Sequence, residues 1–210
     1  METLMACDLS ILIPSIPERI PKLSLLLSRL EGQIGDRREV EVISFMDNCR
    51  RSLGHKRNAM VAQAQGRFIT HLDDDDIALE GYVSQLVSAI TVHPDVDVIH
   101  FDSICKLNGD APFKVTTDVG LKVSSKEQIS QAGKTDGKWR DIVRPPWHWC
   151  CWRRDFARRF DFPDGTMDED WYWLRQALPC IEHSHRIDEI LHGYVWSQEE
   201  TRSNVGKPTT

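Results

Sequence analysis

The chain has 210 residues, 40% hydrophobic and 28% charged, the balance of one ordinary globular domain large enough for a real core. Its net charge of −6 offers no general basic field to nucleic acid or to a membrane surface. Glu2 and Asp8 stand where a signal peptide needs bases, and no apolar run approaches the roughly 20 residues that span a bilayer, so a cytoplasmic protein with no membrane partner is expected. The six cysteines, at 7, 49, 105, 150, 151 and 180, form no C-x-x-C pair. Reduced thiols are therefore expected rather than a zinc centre, with Cys150 and Cys151 as small buried residues beside a strand.

Leu9 to Ile13 reads as a buried strand ended by Pro14. Pro21 to Leu30 has a helical apolar pattern that puts Leu23, Leu26, Leu27 and Leu30 on one face. Val40 to Met46 predicts a second strand, Gly54 to Gln65 a helix, and Arg67 to Leu72 a third strand. Four aspartates follow, Asp73 to Asp76, then a helix from about Leu79 to Val92 and a strand over Val96 to Phe101. This alternation predicts an α/β fold with a mostly parallel central sheet flanked by helices. Such sheets bind ligands at the carboxyl ends of their strands, where Pro14, Asp47 and Asp73 all fall.

The second half has a different character. Ser103 to Val123 predicts a hairpin turning at Asn108-Gly109, and Lys126 to Gly137 is polar and loop-like. All seven tryptophans lie beyond residue 138. Lys138 to Phe160 holds seven Lys/Arg against two acids, whereas Asp161 to Glu200 holds ten acids against two arginines. With no repeat or linker, a single domain over residues 1–210 is expected, with a nucleotide half over about 1–102 and an acceptor and catalytic half over about 103–210.

Four adjacent carboxylates repel one another and call for compensation. Hard oxygen donors suit Mg2+ or Mn2+, and in an extended segment Asp73 and Asp75 point the same way. The alternative is a solvated turn capping the next helix. Asp47 is placed to accept hydrogen bonds from a base or ribose. Arg19, on the rigid loop leaving the first strand, can reach a phosphate or a base edge, or simply remain a surface arginine. Lys56 and Arg57 sit in a helix's first turn, where cations oppose the dipole, which points to an anion held there, with a simple basic first turn as the alternative. Thr166 and Glu169 have capping-box spacing, yet three carboxylates, Asp168, Glu169 and Asp170, beside Trp171, Tyr172 and Trp173 exceed what a cap needs.

In order, these segments resemble family 2 glycosyltransferases of the GT-A fold. The resemblance rests on Leu9-Ser10-Ile11-Leu12-Ile13-Pro14-Ser15, Asp47, Ser52-x-Gly54-x-Lys56-Arg57-Asn58 and Ala64-x-Gly66-Arg67-Phe68-Ile69. It continues through Leu72-Asp73-Asp74-Asp75-Asp76 to Gly165-x-x-x-Glu169-Asp170-Trp171, and so covers roughly residues 9 to 196. It implies a metal-dependent transfer of a sugar from a nucleotide-sugar, expected to be a UDP-sugar, to an acceptor hydroxyl with inversion at the anomeric carbon. The donor would be held by Pro14, Ser15, Arg19, Asp47, Lys56, Arg57, Asn58, Asp73 and Asp74. Asp73 would contact the nucleotide and Asp75 would be the chief ligand of Mn2+ or Mg2+. Asp170 would be the general base, with Glu169 or Asp168 as second candidate. The family's late histidine falls where this chain has Ser197. His192, a few residues earlier, is thus a candidate for the metal, with a structural or acceptor role as the alternative.

For the acceptor, Trp147, His148, Trp149 and Trp152 offer aromatic faces, and Arg153 and Arg154 offer phosphate partners, or a solvated basic helix. Pro14 to Arg19, Gly54 to Asn58 and the basic, tryptophan-rich segment also resemble small virus-encoded members that decorate hydroxymethylated pyrimidines in phage DNA. That implies a DNA acceptor, with a saccharide or lipid-linked acceptor as the alternative. A binding module that has lost catalysis is the non-enzyme reading, disfavoured by the presence of both acidic motifs.

Overall fold

Leu9–Ser15 is buried along its whole length and forms β1, the strand around which the first half assembles. In the computed structural model, residues 7–123, 125, 128, 134–135, 138–165 and 168–197 are described. β1 runs parallel to β2 (Val40–Met46) on one side and to β3 (Phe68–His71) on the other. The strand continues through Pro14 rather than ending before it. Leu12 O accepts from Leu72 N, so Leu12 and Pro14 both turn their backbone groups toward β3, which has ended by then. The missing N–H of Pro14 therefore costs no ladder bond.

Helix α1 (Ile20–Ile34) buries Leu23, Leu26 and Leu30 and packs against α3 (Tyr82–Val92), while α2 (Leu53–Gln63) packs on β1 and β2. Between β3 and α3 the acidic segment leads into a short strand, β4 (Ile77–Ala78).

β5 (Val98–Leu107) and β6 (Phe113–Thr117) form the expected hairpin, with Asn108 and Gly109 at φ 49° and 79° in the turn. β7 (Lys134–Thr135) and β8 (Lys138–Trp139) make a separate two-stranded ribbon, and β9 (Ile142–Arg144) runs parallel to β6. Most of the Lys126 to Gly137 segment lies outside the described residues.

β10 (Cys151–Arg153) inserts antiparallel between β3 and β5. After the one-turn helix α4 (Arg154–Ala157) and α5 (Glu169–Ala177), β11 (Ser184–Trp196) runs parallel to β5 and pairs antiparallel with β4. The main path is β2-β1-β3-β10-β5-β11-β4, with β6 and β9 attached at β5. Because β3 and β5 are both antiparallel to β10, they share a direction, so the first-half strands present their carboxyl ends on one edge. The result is a single α/β domain whose sheet is mostly parallel. All six cysteines are free, and Cys150 and Cys151 are buried beside and in β10. Among the described residues, no helix is long and apolar enough to cross a membrane.

The start of α2 is fastened to the segment before α5. Asn58 donates to Phe162 O at 2.8 Å and accepts from Phe162 N at 2.9 Å. Gly54 N donates to Gly165 O at 3.1 Å, and Ser52 Oγ bonds Asp164. A Cβ on Gly54 would lie 1.9 Å from Pro163 O. Gly54→Ala should therefore destabilise the protein by about 1–3 kcal/mol, the usual effect of overpacking. Thermal denaturation checks this, and an unchanged melting temperature would mean the joint yields freely.

Candidate active site

Asp73 to Asp76 follow β3 as a tight turn rather than an extended run. Asp76 N donates to Asp73 O at 3.0 Å, and Asp76 Oδ2 accepts from Asp73 N at 2.8 Å. α3 starts only at Tyr82, so these acids do not cap it. The chain itself supplies much of their counter-charge. Asp73 meets Arg57 at 2.8 Å, and Asp74 meets Arg19 at 2.7 Å and accepts from Ser15 Oγ at 2.6 Å. Asp75 lies 3.1 Å from Arg19 and 3.9 Å from Lys22. Asp76 lies 3.1 Å from His192 Nε2.

The compensation is least complete at Asp75. Burial, together with the neighbouring Asp73, pushes its carboxyl up to about 7 despite Arg19. Burial also raises Asp74 and Asp76, with Ser15 and Arg19 opposing at the first and His192 at the second.

Asp73, Asp74 and Asp75 line an open cleft together with Pro14, Ser15, Arg19 and Lys56. Residues that sequence reasoning missed close it: Ile16, Leu53 and, from the end of β11, Tyr194, Val195 and Trp196. The pairing of β11 with β5, and with β4 directly after the acidic turn, brings these last three to it. Their aromatic, strand-like sequence was the available signal, but it carried no position. Lys56 is wholly buried; its Nζ lies 2.5 Å from Asp47 Oδ1 and donates to Ser15 O at 2.8 Å.

Several expected donor contacts have other partners. Asp47 is absent from the cleft lining; burial alone would raise its carboxyl, but Lys56 and the Arg51 N–H outweigh this and hold it low. Asn58 spends its amide on Phe162. The N-terminus of α2 is not an open anion site, because the Gly54 and His55 N–H groups bond Gly165 O and Ser52 Oγ.

Arg57 is buried at the centre. Its Nη2 meets Asp73 at 2.8 Å and lies 3.4 Å from His148 Nε2, while its Nε meets Glu169 Oε1 at 3.3 Å. Burial raises the Glu169 carboxyl against the pull of Arg57. Asp170 is more open, with its side chain 17% exposed. Its Oδ1 accepts from Trp171 N at 2.7 Å, and its Oδ2 accepts from Trp147 Nε1 at 2.7 Å with His148 Nδ1 3.5 Å away. Burial and the positive charge of Arg57 hold His71 and His148 well below the usual imidazole range, so both are neutral. The capping-box threonine, Thr166, lies outside the described residues. The N-cap is Asp168, at φ 62° and without a side-chain cap bond.

His192 is fully buried under the turn. Its Nδ1 bonds Ser103 at 2.8 Å and its ring stacks on Trp149, with centroids 4.8 Å apart. Its Nε2 faces Asp76 Oδ2 at 3.1 Å, so the imidazole stands behind the acidic turn, on the far side of Asp76. The expected acceptor patch also divides. Trp149 and Trp152 are core residues, and Trp152 Nε1 is bonded to Trp147 O. Arg153 pairs with Asp97 at 2.7 Å, and Arg154 bonds Ala64 O at 2.6 Å. Arg153 lies in register with Phe68 at the beginning of β3, the end away from the aspartates. Only Trp147 and His148 of the six stand at the site.

The raised Asp75 carboxyl has a consequence for stability. Its folded value, about 7, exceeds the ordinary 3.8, so between those values the folded chain holds a proton that the unfolded chain has lost. This group therefore makes the metal-free protein less stable as pH rises from 4 to 7. Asp75→Asn should flatten that slope and raise the melting temperature at pH 8 in chelator. A lower melting temperature there would show that the Arg19 contact outweighs the repulsion.

No protein-family model and no curated protein matches the chain. Solved structures do match. S. aureus TarS 1–349 in complex with UDP-GlcNAc aligns with a TM-score of 0.57 at 13% identity, covering 90% of this chain and 58% of that one. The same fragment with UDP aligns with a TM-score of 0.54, also at 13% identity, covering 90% of this chain and 60% of that one. Glucosyl-3-phosphoglycerate synthase from Mycobacterium tuberculosis, in complex with Mn2+, UDP-glucose and phosphoglyceric acid, aligns with a TM-score of 0.55 at 12% identity, covering 90% of this chain and 72% of that one. The chain thus spans somewhat under two thirds of the TarS fragment, and what it shares with these proteins is their fold.

Proposed function

We propose that the chain is a metal-dependent, inverting glycosyltransferase that moves a sugar from a UDP-sugar to an acceptor hydroxyl. The carrying observation is that Arg57 joins an acidic turn on an open cleft, at Asp73, to the acidic pair Glu169-Asp170. The fold shared with GT-A-like glycosyltransferases supports this reading, and the UDP, UDP-GlcNAc and UDP-glucose bound to those neighbours support a uridine nucleotide as donor.

The donor set fits a hard divalent cation. Asp75 is a partly open carboxylate whose charge the chain does not fully balance, and Asp73 faces the same cleft. Among the described residues, no group of three His, Cys, Asp or Glu converges on one point. Mg2+ sites commonly use one or two carboxylates plus phosphate oxygens and water, so Asp75 with Asp73 suffices beside a diphosphate, and Mn2+ suits the same oxygens. When bound, the ion would neutralise the departing nucleoside diphosphate.

The chain's own residues supply the rest. Ser15, Arg19, Lys56 and Asp73 wall the donor cleft, and Arg19 and Lys56 add positive charge there. Asp170, more open than Glu169, takes the proton of the acceptor hydroxyl as its oxygen attacks the anomeric carbon. Attack from the face opposite the leaving group inverts that carbon. The acceptor is assigned here only as a hydroxyl, because the patch expected to hold DNA is not one surface.

Asp170→Asn should leave UDP-sugar binding intact and lower transfer by about 10²- to 10⁴-fold; transfer at the native rate would remove Asp170 from the role. Excess chelator or Asp75→Ala should abolish turnover. Hydroxymethylated DNA and oligosaccharides, offered with the same donor, decide the acceptor. A product on DNA that weakens as salt rises supports the nucleic-acid reading. No product on DNA, together with a salt-insensitive saccharide product, excludes it.

A further inference from the structure

The Trp147-His148 segment, expected to meet the acceptor, is turned toward Asp170 instead. Trp147 is 4% exposed, which leaves its faces little room for a sugar or a base. One side carries the Arg144 guanidinium, 3.5 Å from the ring centre, and the ring also stacks on Trp171, with centroids 5.8 Å apart and planes 20° apart. This packing fixes the indole so that Nε1 donates to Asp170 Oδ2 at 2.7 Å. His148 approaches the same oxygen at 3.5 Å through Nδ1, while its Nε2 lies 3.4 Å from Arg57. Arg57 reaches Asp73 through the same nitrogen.

We propose that Trp147 is a positioning residue for Asp170, its indole N–H fixing one carboxylate oxygen. The proposal rests on the reading of Asp170 as the general base. Oδ1 is held by Trp171 N and Oδ2 by Trp147, so the carboxylate plane is set from both ends. A carboxylate offers about four acceptor positions, so these two bonds do not by themselves exhaust it. The base is thus aimed before the acceptor arrives, which is where catalytic geometry is gained.

The test must remove the N–H while keeping the stack. Trp147→Phe leaves an aromatic face between Arg144 and Trp171 but no donor. It should lower kcat by about tenfold or more, the effect of losing one charge-assisted hydrogen bond, with donor and acceptor KM changed by less than about twofold. The variant also removes a donor that favours the ionised carboxylate, so the acidic limb of the pH–rate profile should move to higher pH. Among the described residues, Arg57, Arg144, Glu169 and His148 are charged or titratable groups near Asp170, and the substitution leaves all of them in place.

Should Trp147→Phe fail to fold, β-(3-benzothienyl)alanine at position 147 asks the same question with the shape of tryptophan and no N–H. An unchanged kcat and pH profile in the folded variant would overturn the positioning role. Loss of transfer in Asp170→Asn alongside that result would show that the base reading still stands. Native transfer by Asp170→Asn would instead fail the base reading itself, and the positioning role with it.

Discussion

Arg57 carries a permanent charge into the interior between the two halves of the site, and the rest of the site is arranged around neutralising it. It lies in α2, whose start is fastened to the segment before α5, so its guanidinium reaches Asp73 on one side and Glu169 on the other. An uncompensated buried cation is costly, and removing one partner of a buried pair typically destabilises by about 3–5 kcal/mol. Arg57 is therefore both a support and a constraint. The turn after β3 and the first turn of α5 cannot separate without exposing or orphaning a charge.

The same logic explains how four adjacent aspartates coexist. Arg57, Arg19 and His192 each take one or more of them, and Lys22 stands further off. The arrangement balances three carboxylates better than the fourth. Asp75, with Asp73 as its strongest like-charged neighbour, remains the place where added positive charge is most favourable. It also faces the open cleft, whereas Asp76 is turned inward to His192 and to the backbone of Asp73. Burial direction thus divides four identical side chains into different tasks.

Much of this was legible in the sequence where local patterning decides structure. The apolar run from Leu9, the leucine stripe of α1, the Asn108-Gly109 turn and the placing of the acidic run at a strand's end all follow from local rules. Long-range pairing was not legible. Nothing local to Cys151–Arg153 says that it enters the sheet between β3 and β5, and that insertion is what buries Trp152 and carries Arg153 and Arg154 away from the acidic turn. A tryptophan beside arginines reads equally well as a binding patch or as core with a charged edge. Likewise, Lys56 and Arg57 signalled a concentration of negative charge correctly. Their partners proved to be the chain's own carboxylates: Asp47 for Lys56, and Asp73 and Glu169 for Arg57.

The central claim is that the cleft beside Asp73 and Asp75 holds a nucleoside diphosphate together with a divalent cation. Calorimetric titration of the native chain with UDP, in Mn2+ and then in excess chelator, tests it without any assumption about the acceptor. The account predicts measurable binding in Mn2+ that weakens by about tenfold or more in chelator, a difference of about 1.4 kcal/mol. Equal affinity in both conditions, or no binding of UDP at millimolar concentration in Mn2+, would contradict it.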